Sequence, residues 1–165
     1  MKRVIVTTII ALAVIAALAG GASAARPVIV PLTGTIDFGN LNEGPAGDVC
    51  PFDVGLVITA GRGAREIRFD SPVGSGVSSL LVGPLKATAT NLETGEDVTV
   101  GISGPTFLDT SGFPNKGTGS WLVFEPISEG GMRFLHGRLA FEPVSYGVHA
   151  VLLGGTEEDL CDRLT

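Results

Sequence analysis

From residue 32 onward the chain alternates apolar and polar positions in short rows. Leu32, Gly34, Ile36 and Phe38 alternate with Thr33, Thr35 and Asp37. Phe52, Val54, Leu56 and Ile58 form a second period-two row. Ile67 and Phe69 alternate with Glu66, Arg68 and Asp70, and Leu85, Ala87 and Ala89 with Lys86, Thr88 and Thr90. Val98, Val100 and Ile102 repeat the pattern against Thr99, Gly101 and Ser103. Leu135, Leu139 and Phe141 share one face of a further row, in which Arg133 and Arg138 fall out of step across Gly137. Val148 to Leu153 is a more uniformly apolar strand. Successive strand residues point to opposite faces, so such rows predict sheets with one buried and one wet face.

Turn residues separate the rows: Gly39-Asn40, Gly61 to Gly63, Ser71 to Gly76, Thr94-Gly95, Asp109 to Gly119, Gly130-Gly131 and Ser145 to Gly147. Short strands with regular turn punctuation predict an all-β, antiparallel sandwich or barrel-like domain. The spacing predicts a hairpin over Leu85 to Ser103, turning at Glu93 to Glu96. It predicts a second over Trp121 to Phe141, turning at Glu129 to Gly131. Only the last ten residues read as a helix. Thr156 can cap it, Glu157, Glu158 and Asp159 favour its N-terminus, and Leu160, Cys161 and Leu164 lie on one side. No internal repeat or linker divides the chain.

The first 24 residues follow another pattern. Lys2 and Arg3 precede an apolar run from Val4 to Ala19, and small residues end the segment at Ala22-Ser23-Ala24. This is the grammar of a secretory signal peptide. The run of about 16 residues is shorter than the ~20 that a spanning helix needs. The expected division is a leader over 1–24, cleaved between Ala24 and Ala25 with Ala25/Arg26 as the neighbouring choice, and one domain over 25–165. No cysteine stands at the cleavage point to carry a lipid. The expectation is a secreted, extracellular product with no stable membrane anchor after cleavage.

Charge narrows the partners. The 165 residues hold 17 acidic and 11 basic side chains, a net charge of −6. Removing Lys2 and Arg3 makes the remainder more acidic still. A phosphate backbone demands a basic patch, so no nucleic-acid partner is expected. The partner expected is extracellular and unidentified, and the sequence leaves the oligomeric state open. Two cysteines, Cys50 and Cys161, in an exported chain read as a disulfide. Closing a loop of about 110 residues is worth ~4.7 kcal/mol in the chain-entropy model.

Catalytic signatures are sparse. His136 and His149 are the two histidines, and neither sits in a zinc-type spacing. Both fall in expected strands. Ser75 in Gly74-Ser75-Gly76 lacks the outer residues of a nucleophile elbow. The glycine-rich stretch Gly112 to Gly119 has no Gly-Lys-Ser/Thr step and no following helix to cradle phosphate, and reads as a flexible connector. The carboxylate pairs Glu96-Asp97 and Glu157-Glu158 do not by themselves face one cleft. Asp37, Asn40, Asn42 and Glu43 could ring a calcium ion, although turn formation explains them equally. Trp121, Tyr146 and Phe113 lie in or beside loops, where rings can stack on a sugar or pack in a core. No catalytic residue, metal ligand or cofactor is assigned.

Several segments also resemble a family of small secreted β-sandwich-like proteins of actinobacteria. They are Cys50-Pro51-Phe52-Asp53-Val54, Asn91-Leu92-Glu93-Thr94-Gly95 leading to Val98-Thr99-Val100, Ser103-Gly104-Pro105, Gly137-Arg138, and Asp159-Leu160-Cys161-Asp162-Arg163-Leu164. The acidic turn Thr94-Gly95-Glu96-Asp97 departs from the family pattern. The resemblance implies an exported β-sandwich-like domain with one N-to-C disulfide, and it carries over no catalytic or binding residue. The expected role is a non-enzymatic extracellular β domain acting as a binding or structural module. The alternatives are a binder of a small apolar ligand or sugar, and an enzyme of unrecognised type. An apolar cavity near about 300 Å³ or more marks the first alternative. A cleft in which His136 or His149 meets a carboxylate marks the second.

Overall fold

The computed structural model describes residues 26–74, 76–145 and 147–165. The leader, its Ala24–Ala25 cleavage point, Ser75 and Tyr146 lie outside the described residues. The described chain forms eleven strands: β1 (Val28–Pro31), β2 (Thr35–Asn40), β3 (Val54–Ala60), β4 (Arg65–Val73), β5 (Val77–Val82), β6 (Pro84–Asn91), β7 (Asp97–Ser103), β8 (Thr106–Leu108), β9 (Pro114–Phe124), β10 (Met132–Val144) and β11 (Gly147–Asp159).

Every strand pairing is antiparallel, and all eleven strands belong to one sheet curled into a half-barrel. The sheet is therefore all-β and antiparallel as the alternation predicts, but a single hydrogen-bonded surface replaces the two separate sheets of a sandwich. Strand β9 is its junction. One edge of β9 pairs with β10, which pairs in turn with β11. The other edge meets two arms in succession. Gly117, Lys116 and Pro114 pair with β8, at the end of the β1-β4-β5-β8 arm. Ser120 pairs with Ser103 of β7, at the end of the β2-β3-β6-β7 arm.

A line of glycines creases the sheet. Gly119 in β9, Gly137 in β10 and Gly155 in β11 are direct cross-strand partners, and Gly104 lies beside Gly119 between β7 and β8. Their φ angles are +105°, +152°, +140° and +134°. A Cβ on Gly119, Gly137 or Gly155 would collide with the carbonyl oxygen of Ser103, Gly154 or His136 respectively. Backbones approach this closely only without side chains, and glycine kinks of this kind bend sheets toward closure.

The crease folds the β10–β11 hairpin back on itself. Phe124 pairs with Met132, whereas Ala150 pairs with Phe141. On a straight strand Met132 and Phe141 would stand about 30 Å apart. Yet Glu125, next to Phe124, accepts a 2.7 Å hydrogen bond from the Ala150 N–H.

Alternate residues of β9 and β10 consequently serve two cores. Leu122, Phe124, Met132 and Phe134 join the larger core with Val54, Leu56, Ala87, Ala89, Val98, Val100, Leu160 and Leu164. Val123 and Leu135 join Leu139 and Ala150 inside the folded hairpin, with Trp121, Phe141 and Leu152 packed around them. Burying a leucine such as Leu135 or Leu139, both at most 1% exposed, contributes about 2–3 kcal/mol.

The predicted C-terminal helix does not form. Thr156 to Asp159 continue β11 and pair with Arg133 to His136, and only a 3-10 turn at Asp162–Leu164 follows. A lone segment of ten residues is too short to sustain a helix in water. The ladder with β10 offers it a full set of backbone partners, and Arg133 adds an ion pair to Glu157 at 3.1 Å. The disulfide joins Cys50 and Cys161, with Cα atoms 5.6 Å apart and a sequence separation of 111. It ties the loop before β3 to the chain just past β11, with both cysteines buried in the larger core. Among the described residues, no helix is long and apolar enough to cross a membrane.

Candidate functional site

Trp121 stands on β9 immediately after Ser120, the residue that pairs with β7. Its indole lies over Gly117, where any Cβ would overlap the ring. The ring of Phe141 packs against it at 4.9 Å and a 51° tilt, and the indole N–H approaches the Thr118 carbonyl at 3.4 Å. The glycine-rich stretch read as a connector thus supplies the bed on which the tryptophan rests, since β9 begins at Pro114.

Trp121 separates two cavities of about 350 Å³ each, which share Pro114, Trp121 and Leu122 as lining. The first lies against Phe38, Leu41, Phe124, Phe141, Val148 and Ala150. The second lies against Leu32, Ile58, Leu81, Leu85, Ile102 and Leu108. Neither lining contains a charged residue. The first cavity's mouth carries a tilted pair of rings, Phe38 and Phe124, with centroids 6.1 Å apart, and Phe38 is 44% exposed.

A buried charge cluster holds one wall of this groove in place. The Glu125 side chain is fully buried. Its carboxylate accepts from the Arg133 guanidinium at 2.5 Å and from the Ala150 N–H at 2.7 Å. Arg133 also donates to Glu157 at 3.1 Å. Burial pulls the Arg133 pKa down, but Glu157 and Glu125 outweigh it and hold the value above that of a free guanidinium. His149 Nδ1 lies 3.1 Å from Glu125 Oε1 and 3.9 Å from Glu129, without hydrogen-bond alignment. A histidine therefore does meet a carboxylate. That carboxylate is buried, already bonded to Arg133 and to backbone, and serves to fasten the folded hairpin.

The other candidate residues are placed as follows. His136 pairs across strands with Ser120, Nδ1 to Oγ, at 2.9 Å. The described residues supply no carboxylate contact to orient that imidazole, as a nucleophile–base pair requires. Asp37 accepts from the Gly39 N–H, and Asn40 accepts from the Asn42 N–H. Asn42 bonds to the backbone of Val49, Cys50 and Phe52, fixing the loop beside the disulfide. These three side chains thus engage their own loop, and no cluster of three or more His, Cys, Asp or Glu suited to a metal ion occurs among the described residues. Glu157 and Glu158 lie in β11, facing Arg133 and Arg163 respectively. Of the aromatic residues read as a platform, Trp121 lines the groove and Phe113 is half exposed on the preceding turn.

Sequence reasoning missed Glu125 and Arg133, whose partners come from distant segments. The signal that could have pointed to the groove is Gly117-x-Gly119-x-Trp121, a flat strand leading to the single tryptophan.

No family model, no curated protein and no solved structure matches this chain.

Proposed function

We propose that this protein is an exported, non-enzymatic binding module that holds an apolar ligand in the groove around Trp121. One observation carries the reading: two contiguous cavities of about 350 Å³, uncharged in their lining, flank a tryptophan seated on glycine. Ligand sites begin near about 300 Å³ and are lined mainly by apolar and aromatic side chains. The lining favours an apolar ligand over a sugar, which needs a ring of polar partners beside its stacking face. Export rests on the leader and fits a disulfide-bonded domain. The resemblance to small secreted actinobacterial proteins belongs to the same reading.

The test uses Trp121 as its own reporter, since the chain holds a single tryptophan. Titrating the secreted protein with neutral N-phenylnaphthylamine is expected to shift Trp121 emission saturably at one-to-one stoichiometry. A linear, non-saturating response would refute ligand binding in the groove. Export is tested by sequencing the N-terminus of protein recovered from the medium, with Ala25 or Arg26 expected. An intact Met1 retained in the membrane fraction would overturn it.

A further inference from the structure

The backbone of β9 narrows the ligand class. Glu125 donates its N–H to the Gly131 carbonyl, in register with Phe124 opposite Met132. Along an antiparallel ladder, hydrogen-bonded and non-bonded pairs alternate. Odd-numbered residues of β9 in this stretch therefore turn their N–H and C=O toward β10, and even-numbered residues turn theirs to the opposite edge. That edge can be followed residue by residue. Lys116 lies opposite Phe107 of β8, Thr118 donates to the Pro105 carbonyl, and Ser120 lies opposite Ser103 of β7. Beyond Ser120 no further β7 residue pairs with β9, and Leu122 and Phe124 have no strand partner on this edge among the described residues.

Leu122 and Phe124 both line the first cavity. The two backbone donors and two acceptors on that edge thus belong to residues that line a groove whose walls are apolar and uncharged. An acyl chain or any other pure hydrocarbon would leave those four groups without partners, which is costly away from water. A charged ligand would find no counter-charge. The neutral backbone of an extended peptide satisfies both conditions, because it continues the β8 and β7 ladder along the same edge while its side chains enter the apolar walls. The facing strand tells the same story from the other side. The Ala150 N–H, which points out of β11 into this region, is capped by Glu125, so that edge is closed to pairing there and β9 is left as the receptive one.

We infer that the groove takes an extended, uncharged polypeptide segment, added as a strand to β9 at Leu122 and Phe124. This inference rests on the groove being a ligand site. The experiment compares three probes on the intact secreted protein: a short capped peptide of alternating valine and threonine, the same peptide with its backbone amides N-methylated, and decanoate. Trp121 emission reports binding, and hydrogen exchange read by NMR reports the amides of Leu122 and Phe124. Saturable binding of the unmodified peptide is expected, with slowed exchange at both amides. The N-methylated peptide should bind about ten-fold or more weakly, as loss of a few backbone hydrogen bonds requires. Equal binding of the two peptides, or binding of decanoate alone, overturns strand addition while leaving an apolar site. Failure of all three probes overturns the apolar site itself. Protection of the same two amides by self-association at rising protein concentration would assign the edge to a second copy and overturn a foreign peptide.

Discussion

Replacing Gly137 with alanine should open the folded hairpin. Gly137 has φ of +152° and lies at the centre of the crease, between Gly119 and Gly155 on the neighbouring strands. An L-residue forced to positive φ costs about 1–2 kcal/mol. The added methyl would also fall on the Gly154 carbonyl oxygen and 2.9 Å from the Gly155 Cα. Both obstacles are backbone, so relief requires strands to separate, an overpacking cost of about 1–3 kcal/mol. The sum is about 2–5 kcal/mol, equivalent to a fall in Tm of roughly 5–15 °C for a domain of this size. The control is Gly101→Ala in β7. Gly101 has no neighbour within 4 Å of its would-be Cβ and no positive φ. There alanine should be neutral or stabilise by up to about 0.5–1 kcal/mol, through a less flexible unfolded chain. Both variants would be unfolded thermally and in urea with the disulfide intact, following Trp121 emission and far-ultraviolet circular dichroism. A Gly137→Ala stability within about 0.5 kcal/mol of the parent, or equal to that of Gly101→Ala, would refute the crease.

Other expectations concern the fastenings of the fold. Glu125→Gln should lower stability by about 2–4 kcal/mol, less than complete orphaning of Arg133 because Glu157 still faces it; an unchanged urea midpoint would argue that the clamp holds nothing. Non-reducing peptide mapping should find Cys50 joined to Cys161, and the Cys50→Ser/Cys161→Ser double variant should lose about 2–5 kcal/mol; two alkylatable thiols in the native protein would contradict the pairing. The hydrogen bond from Arg68 holds the Glu66 carboxyl below its ordinary range. A depressed carboxyl adds stability above its unfolded-state pKa and loses it as pH falls through the folded value. Because the Arg68 partner is largely exposed, at 59% against 16% for Glu66, the slope should be shallow and weakened by salt. Glu66→Gln should remove that acid-side slope, and an identical slope in the variant would locate it elsewhere.

The rows at Val54 to Ile58, Leu85 to Ala89 and Val98 to Ile102 were legible because each buries alternate residues in the larger core. Gly95 marked the β6–β7 turn, which closes between Asn91 and Asp97. The strands β5 and β8 escaped notice. Thr106–Leu108 is too short to show a period, and β5 carries three successive apolar residues at Leu80 to Val82. The C-terminal segment misled for a different reason. Thr156 to Asp159 has helix-start chemistry, and nothing local reveals that Arg133 and the β10 edge lie waiting for it. The groove was invisible because Phe38, Trp121, Phe141 and Val148 meet only after the sheet has curled.

By itself, then, the sequence determined an antiparallel β protein with a leader-like start and a cysteine pair suited to bridging. Alternation, turn residues and cysteine count act locally or as simple totals, so they survive without coordinates. The tertiary structure alone decided that the sheet is one curled surface, that Glu125 fastens its folded hairpin, and that Leu122 and Phe124 face an apolar groove. Each of these depends on where distant strands stop pairing. Glycines at four separate positions set that geometry by letting backbones approach, and no short window of sequence contains more than one side of such an approach.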